Sequence, residues 1–398
     1  MSFLDTYAQF SADTEIPKSY TLYTGLGVLS ALAGGKVWVD MGSYVTSPQL
    51  YVCLVGPPGN LKSSALDVGE NLMRQMGTVK LSSDSLSYRA LIEEIKENET
   101  EVDFDGQKRV IAPLTCCLTE LSNFLLNGGP QTIDICTTIY GKRLYKYKTQ
   151  WKGTVDIAGP YLVIIGCATP AWITNRLKDD VISGGFSRRV LWVYETDGVA
   201  AEPFMERSPK QNELWATLLA MAKEIQKMKG KVKWSVEARD CYIDWTKRRE
   251  TENRELLLDQ AASYYLRTKH VQVQKIAMLL CLSNFSGLTL SAHHINGALK
   301  LLSLIENSLP VVFAGIGKNP NNASAVALVE QIERVGGSMA KAGVNTILFR
   351  DNKAMDSNEI LGHLASTGHI ELEGVNGTAC FKVKKSFRPK ITIDTSGL

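Results

Sequence analysis

The sequence predicts a mixed α/β protein, with a parallel five-stranded sheet followed by a helical region and a small C-terminal unit. Over residues 46–200, short apolar runs alternate with stretches of helical periodicity, which is typical of strands joined by crossover helices. The runs are 50–55, 79–82, 114–119, 161–167 and 190–195. A polar stretch at 196–211 and a Gly-, Asn- and Pro-rich stretch at 315–322 then interrupt the pattern.

These interruptions divide the chain into four predicted segments: an N-terminal helical segment at 1–45, an α/β core at 46–200, a helical region at 212–315 and a last unit at 323–398. The last unit has the pattern of a winged helix. Helices are predicted at 326–335, at 344–350 and after the capping box of Asp356 and Glu359. Apolar runs at 370–375 and 378–383 flank Asn376 and Gly377, a strong hairpin signal.

Composition sets wide limits on function. The chain has 398 residues, 44% hydrophobic and 21% charged, and a net charge of +3, which is too small to indicate a nucleic-acid partner by itself. Eight cysteines form no CxxC pair, and no His cluster has zinc spacing. We expect a reduced, cytoplasmic protein with no structural metal. No signal peptide is visible, and the apolar stretch 25–35 is too short to cross a bilayer, so no membrane association is expected.

The apolar run YVCLV leads into a glycine-rich turn, a Lys-Ser pair and a predicted helix. This arrangement binds phosphate, because free backbone N–H groups at the helix start and the helix dipole favour negative charge. We therefore predict bound ATP, with Lys62 on its β- and γ-phosphates and the Ser63 hydroxyl on Mg²⁺. The nucleotide-binding residues are Gly56, Pro57, Pro58, Gly59, Asn60, Leu61, Lys62, Ser63 and Ser64.

One position departs from the usual motif, since Leu61 stands where glycine normally precedes the lysine. The loop tolerates leucine if its backbone there has a conformation open to non-glycine residues, with the side chain pointing away from the phosphates. A strand, turn and helix carrying a chance Lys-Ser pair is the alternative interpretation.

Two later strands end in polar residues. Glu120 follows the run 114–119 and is predicted to orient or deprotonate the attacking water and to contribute to the Mg²⁺ site. The residue before it is Thr119 instead of the usual Asp, and a surface glutamate is the alternative. Thr169 follows the run 161–167 and would hold the catalytic water or sense the γ-phosphate. It would equally cap the helix that follows Pro170.

Arginines precede the last predicted strand. Arg188, tethered by Gly184 and Gly185, is predicted to reach a nucleotide on a neighbouring subunit and to stabilise charge on the transferring phosphoryl group. Arg189 would instead make a structural salt bridge. Two solvated arginines are the alternative.

A basic and aromatic segment lies at 140–153 and suits a β-hairpin. Its cations would neutralise phosphates of single-stranded DNA, while its aromatic rings would stack on bases. A solvated hairpin, or one that contacts a neighbouring subunit, is the alternative. The predicted DNA-binding residues are Lys142, Arg143, Lys146, Lys148 and Lys152, and the interleaved aromatics are Tyr145, Tyr147 and Trp151.

The order of these motifs resembles that of AAA+ ATPases, loosely over residues 15–310. The likeness is greatest to ring helicases of the MCM type and to helicase-like ATPases of phages and mobile elements, often described as primase-helicases. Residues 185–193, GFSRRVLWV, resemble their arginine-finger strand, and residues 47–59 resemble the approach to the phosphate loop in the mobile-element family.

This resemblance implies a helical lid over 212–315, a hexameric ring, ATP-driven movement along DNA and an inserted hairpin that lines the central pore. It also implies that a lid arginine contacts the nucleotide, and Arg267 is the matching residue, although a solvated arginine fits equally well. Leu61 and Thr119 depart from the family pattern and would affect hydrolysis more than nucleotide binding.

The sequence therefore favours an ATP-dependent DNA translocase or helicase of phage or mobile-element replication. Two alternatives stay open: an AAA+ switch that remodels a protein partner, and a scaffold that binds nucleotide without hydrolysing it. The C-terminal unit would contact DNA through Lys382, Lys384, Lys385, Arg388 and Lys390, or would contact protein.

Overall fold

The computed structural model describes most of the chain and shows a mixed α/β protein, as predicted. The residues that it describes are 1–127, 129–149, 153–170, 172–173, 185–196, 208–252, 260–313, 321–351, 354–375 and 378–384. None of the helices within these ranges has the length and apolar character needed to cross a bilayer.

Elements of the first half form the sheet and its covering helices. They are α1 (Phe3–Phe10), α2 (Lys18–Ala33), β1 (Val37–Asp40), β2 (Val45–Thr46), β3 (Tyr51–Val55), α3 (Lys62–Met76), α4 (Tyr88–Glu97), β4 (Thr100–Phe104), β5 (Gln107–Leu118), α5 (Leu121–Asn127), α6 (Pro130–Ile139), β6 (Leu144–Thr149), β7 (Gly153–Ala158), β8 (Pro160–Ala168), a 3₁₀ turn (Ser187–Arg189) and β9 (Val190–Tyr194).

Elements of the second half are mainly helical. They are α7 (Pro209–Lys227), β10 (Gly230–Lys231), β11 (Lys233–Trp234), α8 (Val236–Glu252), α9 (Gln260–Ser283), β12 (Thr289–Leu290), α10 (Ala292–Glu306), α11 (Leu309–Val312), α12 (Asn321–Arg334), β13 (Ser338–Ala340), α13 (Lys341–Asp351), α14 (Ala354–Ser366), β14 (Ile370–Val375) and β15 (Thr378–Val383).

The central sheet has the strand order β4-β5-β8-β3-β9 among the described residues. Strands β5, β8, β3 and β9 are parallel, whereas β4 pairs antiparallel with β5. These four parallel strands lie where apolar runs predict them. Because parallel strands begin at one edge of the sheet and end at the other, β3, β5 and β8 all end at the same edge. We call this the carboxyl edge and the opposite one the amino edge.

The fifth strand differs from the prediction. Residues 79–82 form only a bridge, in which Leu81 pairs parallel with Thr115. The edge position beside the first half of β5 belongs instead to β4, which is joined to β5 by the two-residue turn Asp105-Gly106. Both turn residues have positive φ, 53° and 89°, as a tight hairpin requires. The Asp-Gly pair is the sequence signal that identifies this hairpin.

Helices cover both faces of the sheet. Gly27 of α2 lies against Ile165 of β8, while the next strand residue, Gly166, faces Leu121 of α5. Successive strand residues point to opposite faces, so α2 and α5 lie on opposite sides. This arrangement explains why β3 and β8 are buried along their whole length and read as continuous apolar runs.

Helix α2 lies within the main hydrophobic core and is buried on all sides. It approaches α3 closely at Gly69, where an added Cβ would lie 2.8 Å from Thr24 Cγ2 and 2.9 Å from Val28 Cγ2. A short strand pair connects the second half to the first, since β10 adds parallel to β1, while β11 pairs with β12 within the second half.

The C-terminal residues form a second hydrophobic cluster around Val329, Leu348 and Leu364. Three helices, α12, α13 and α14, pack against a sheet with the order β13-β15-β14. These helices and the β14–β15 pair lie where the sequence predicts them, although Asn376 and Gly377 fall outside the described residues. The Tyr194 hydroxyl, at the end of β9, donates to Glu330 Oε1 of α12 at 2.8 Å.

The close contact at Gly69 predicts an unusual effect of substitution. In a helix interior, Gly→Ala normally raises stability by up to about 1 kcal/mol. At Gly69 the added methyl overlaps α2, so we expect Gly69→Ala to lower the free energy of unfolding by about 1–3 kcal/mol. Gly362→Ala in α14 is the control, because nothing lies within 4 Å of the added Cβ. Urea unfolding followed by circular dichroism measures both. A stabilised Gly69→Ala protein would contradict the α2–α3 packing.

Candidate functional site

The glycine loop, residues 56–61, joins the end of β3 to the start of α3 at the carboxyl edge of the sheet. The Tyr20 hydroxyl donates to the Val55 carbonyl at 2.6 Å, and Asn60 Nδ2 donates to the Glu195 carbonyl at 2.8 Å. A Cβ added at Gly56 would lie 2.5 Å from that Glu195 oxygen and 2.8 Å from Asn60 Nδ2. Only glycine fits here, because α2 and the end of β9 hold the loop from both sides.

The loop leads into the first turn of α3, where the backbone N–H donors of the helix have no side-chain cap. No side chain accepts a hydrogen bond at this helix start. The first amides of a helix have no partner within the helix, and they attract anions together with the helix dipole. The donors therefore suit a phosphate group, which is the fit that the sequence predicts.

Leu61 occupies the N-cap of α3 in the left-handed conformation, with φ 52° and ψ 22°. The sequence-based expectation was a conformation open to non-glycine residues, and the structure differs. Left-handed backbone costs a non-glycine residue about 1–2 kcal/mol. The position thus retains the geometry that favours glycine while carrying a half-buried leucine.

Lys62 lies at the centre of the loop. Its ammonium donates to the carbonyls of Gly56 at 2.9 Å and of Pro57 at 2.7 Å. Burial lowers the pKa of Lys62, and the neighbouring Cys167 and Glu120 oppose this shift. The lysine is therefore close to the end of β8 and to Glu120, and it has exchangeable carbonyl partners in place of a carboxylate.

The other two predicted residues of this site lie at the same edge. Glu120 is exposed two residues after β5 and accepts a hydrogen bond from the Ser122 hydroxyl at 3.0 Å. Thr169 directly follows β8, whose last carbonyl, that of Ala168, accepts from Gly56 N–H at 3.3 Å. Thr169 Oγ1 accepts from Trp172 N–H at 3.4 Å, the contact expected of a helix cap.

The donor set at this edge fits a magnesium ion that is held mainly by nucleotide phosphates. Mg²⁺ takes one or two protein oxygens and completes its shell with water and phosphate. The exposed hydroxyl of Ser63, in the first turn of α3, and the carboxylate of Glu120 are suitable donors. Within the described ranges, no cluster of three or more His, Cys, Asp or Glu side chains could hold a metal by itself.

Arg188 lies at the amino edge, away from the glycine loop of its own chain. It precedes Val190, which pairs with Tyr51 at the start of β3. The five residues of β3 separate the two edges by about 16 Å at 3.3 Å per residue. The Thr268 hydroxyl of α9 donates to the Arg188 carbonyl at 3.3 Å, which fixes the turn, and the Arg188 side chain is half-buried.

Arg189 has an internal role. Its guanidinium donates to the Gly185 carbonyl and lies 5.7 Å from the centre of the Tyr140 ring. Burial lowers the pKa of Arg189, and the nearby Arg188 lowers it further. The arginine is thus structural, as one interpretation of the sequence held, but a carbonyl takes the place of the expected salt-bridge partner.

Arg267 lies on α9 next to Thr268 and is exposed. The Thr268 contact with Arg188 therefore places Arg267 at the amino edge as well. Within one chain it lies with Arg188 and not with Lys62, so the predicted contact of Arg267 with a nucleotide would be with that of a neighbouring copy.

The basic segment forms the hairpin β6–β7, paired from Leu144–Ala158 to Thr149–Gly153. Lys142, Arg143, Lys146 and Lys148 are exposed, and Lys146 Nζ lies 3.1 Å from Asp156 Oδ2. Lys152 and Trp151 lie outside the described residues.

The hairpin tyrosines behave differently from the expectation of free rings. Tyr145 and Tyr147 are half-buried and pack against the main core. Burial raises the pKa of Tyr147, the neighbouring Tyr88 of α4 raises it further, and Arg89 opposes this shift. The alternating lysines and tyrosines of β6 therefore lie on two faces of the hairpin, with the cations outward and the aromatic rings inward.

A buried cluster at the amino edge escaped the sequence analysis. Lys275 of α9 is fully buried and donates to the carbonyls of Ser47 at 3.0 Å and Gln49 at 2.9 Å. Its ammonium lies 4.1 Å from the centre of the Tyr140 ring. Burial lowers the pKa of Lys275 to about 7. The sequence feature that could have predicted this cluster is a lysine within the apolar run of α9, because a buried lysine needs buried hydrogen-bond acceptors.

Comparisons with known proteins add nothing to this geometry. No protein-family model matches the chain, and a search of curated proteins finds no match. The arrangement of the described residues therefore carries the functional conclusion.

The left-handed backbone at Leu61 predicts opposite effects of two substitutions. Leu61→Gly removes the conformational strain and should leave the free energy of unfolding unchanged or raise it. Leu61→Val places a β-branched residue at positive φ and should lower that energy by about 1–3 kcal/mol. Urea unfolding measures both variants against the wild type. Equal stability of Leu61→Val and the wild type would show that residue 61 is not left-handed.

Proposed function

We propose that this chain is an AAA+-type P-loop ATPase that hydrolyses ATP between subunits of a ring and moves along single-stranded DNA. One observation carries the proposal: Lys62, Glu120 and the uncapped start of α3 share the carboxyl edge, while Arg188 is held at the amino edge. Open parallel sheets bind ligands outside the carboxyl ends of their strands, which supports a nucleotide at the glycine loop.

In the proposed site, the amides at the start of α3 and the ammonium of Lys62 hold the β- and γ-phosphates. Lys62 exchanges the carbonyls of Gly56 and Pro57 for phosphate oxygens. Ser63 and Glu120 would hold Mg²⁺, which neutralises phosphate charge when bound. Glu120 also orients the attacking water and accepts its proton. Thr169 would position that water through its hydroxyl while capping the following helix.

Arg188 acts on the nucleotide of a neighbouring copy in this proposal. A separation of about 16 Å along β3 is too long for an arginine to reach the phosphates of its own chain. The Thr268 contact with the Arg188 carbonyl and the bond of Arg189 to the Gly185 carbonyl hold the backbone of this turn at the amino edge. From there the Arg188 side chain would stabilise phosphoryl transfer in trans. Arg267, beside it, would contribute a second positive charge at the same interface.

The outward face of β6–β7 supports contact with the phosphates of single-stranded DNA. Its cations are Lys142, Arg143, Lys146 and Lys148, and phosphate neutralisation by such side chains is independent of sequence. The C-terminal unit would form a winged helix that contacts DNA or protein through the β14–β15 edge. Because Lys382 and Lys384 pair with Glu371 and Glu373, that edge is partly neutralised.

A scaffold that binds nucleotide without hydrolysing it is the second candidate. Leu61 and Thr119 favour it, because both depart from the ATPase pattern at positions that would affect hydrolysis more than nucleotide binding. Turnover measured beside ATP affinity distinguishes the two functions. A remodelling switch for a protein partner is distinguished by turnover that single-stranded DNA does not stimulate.

We predict that Lys62→Ala and Arg188→Ala each abolish ATP turnover, and that only Arg188→Ala retains ATP binding. An equimolar mixture of the two variants should regain turnover, since the Lys62→Ala chain still supplies Arg188 to the intact loop of the other. Arg74→Ala is the control, because Arg74 pairs with Glu70 on the exposed surface of α3. Normal turnover by Arg188→Ala alone would rule out the interface model.

The hairpin generates a separate prediction. Single-stranded DNA should stimulate ATP turnover of the wild type, and the double variant Lys146→Gln with Lys148→Gln should lose this stimulation while keeping basal turnover. Any stimulation that the variant retains should depend less on salt, because it makes fewer phosphate contacts. The control is Lys210→Gln with Lys223→Gln, two exposed lysines on α7. Equal stimulation of both double variants would exclude the hairpin as the DNA contact.

A further inference from the structure

A cleft of about 430 Å³ opens at the amino edge of the sheet, at the base of the β6–β7 hairpin. Its floor includes Ile111 of β5 and Pro160, the first residue of β8. Pro160 and Ala168, the two ends of β8, are eight residue steps apart, a distance of about 26 Å along the strand, and Ala168 lies at the glycine loop. The cleft is thus distinct from the proposed nucleotide site of the same chain.

Arg109 is held flat in this cleft by two aromatic rings. Its guanidinium carbon lies 4.2 Å from the centre of the Trp38 ring and 5.8 Å from that of Phe104. The two rings themselves meet edge to face at 5.1 Å. Stacking on a ring fixes the plane of a guanidinium and leaves its N–H groups directed sideways. Among the described residues, no carboxylate lies within salt-bridge distance of Arg109.

Two further cations line the same cleft. Lys142 and Arg143 are exposed, and neither forms an ion pair within the described part of the chain. The single carboxylate of the lining, Asp40, is already neutralised, since Lys231 Nζ lies 2.9 Å from its Oδ2. The hydrogen bond from Lys231, with another from Gly42 N–H, lowers the pKa of Asp40. Arg143 contributes to this lowering as well, so it lies within electrostatic reach of Asp40. Because the three cations of the lining outnumber its one carboxylate among the described residues, the space suits an anionic group.

We propose that this cleft binds a phosphodiester group of single-stranded nucleic acid, with Arg109 as its main contact. The fixed guanidinium offers paired donors to phosphate oxygens, and its outer face can stack on a base. Lys142 and Arg143 continue from the cleft into the exposed lysines of β6, Lys146 and Lys148, so the cationic surface is a track and not a single pocket. This inference rests on the proposed DNA-binding function and adds residues of β1 and β5 to it.

Direct binding tests the cleft independently of ATP turnover. Fluorescence anisotropy of a labelled single-stranded oligonucleotide, measured with full-length protein over a range of salt concentrations, gives the affinity and its salt slope. We expect Arg109→Gln to weaken binding about five- to tenfold at low salt and to reduce the slope by about one phosphate contact. Arg109→Lys should retain the slope but lose affinity, because an ammonium cannot stack flat on Trp38.

Lys108→Gln is the matched control. Lys108 is the neighbour of Arg109 on β5, but its side chain points to the other face and pairs with Glu101 at 2.7 Å. It should bind the oligonucleotide as the wild type does. Urea unfolding of each variant ensures that a loss of affinity is not a loss of fold.

Three outcomes would overturn the inference, and they separate it from the proposed function. If Arg109→Gln and wild type bind DNA equally while ATP turnover is normal, the cleft is wrong and the ATPase proposal stands. If a free mononucleoside monophosphate binds as tightly as the oligonucleotide, the cleft takes a small molecule and not a polymer. If the wild type hydrolyses ATP but binds no oligonucleotide even at low salt, both this inference and the DNA part of the proposed function fail.

Discussion

The geometry of the loop depends on one steric constraint, the absence of a side chain at Gly56. Here β3, α2 and the end of β9 meet so closely that the Tyr20 hydroxyl and the Glu195 carbonyl leave no room for a Cβ. Asn60 closes the arrangement by donating to that carbonyl. Because the loop is tied to the body at both ends, α3 starts at a fixed place and its uncapped amides point outward. The geometry of the loop is thus a consequence of core packing, and in the proposed function it would present these amides to phosphate.

The sheet separates two kinds of chemistry. At the carboxyl edge, Lys62 and Glu120 provide opposite charges within electrostatic reach of each other. At the amino edge, neither Arg188 nor Arg109 forms an ion pair among the described residues, and Asp40, the carboxylate that lines the Arg109 cleft, pairs with Lys231. A single chain therefore brings together the parts that would bind a nucleotide in the proposed function, but not the arginine that would act on it. An assembly of copies that sets the amino edge of one against the carboxyl edge of the next would unite them.

Local sequence pattern predicted the parallel strands, the strand–loop–helix junction and the C-terminal helices. Strands buried on both faces appear as continuous apolar runs, and helices appear as apolar residues at helical spacing. Contacts between distant segments produce no local pattern. The position of Arg267 depends on how α9 packs against the turn before β9, and the inward direction of Tyr147 depends on α4. The Asp105-Gly106 pair is a hairpin signal in the sequence. The apolar run at 79–82 resembles a strand and was predicted in place of β4, but it forms only a bridge.

The buried cluster around Lys275 connects the turn that carries Arg188 to the base of the cationic hairpin. Gln272 of α9 donates to the Arg189 carbonyl, and Lys275, one turn further, holds the carbonyl of Gln49. The Gln49 side chain in turn accepts from Gly141 N–H, at the base of the cationic hairpin, at 3.0 Å. The Tyr140 ring packs against both Lys275 and Arg189, so the arginine turn and the hairpin base share one continuous set of buried contacts. In the proposed ring, these contacts would couple DNA held by the hairpin to the arginine turn through α9.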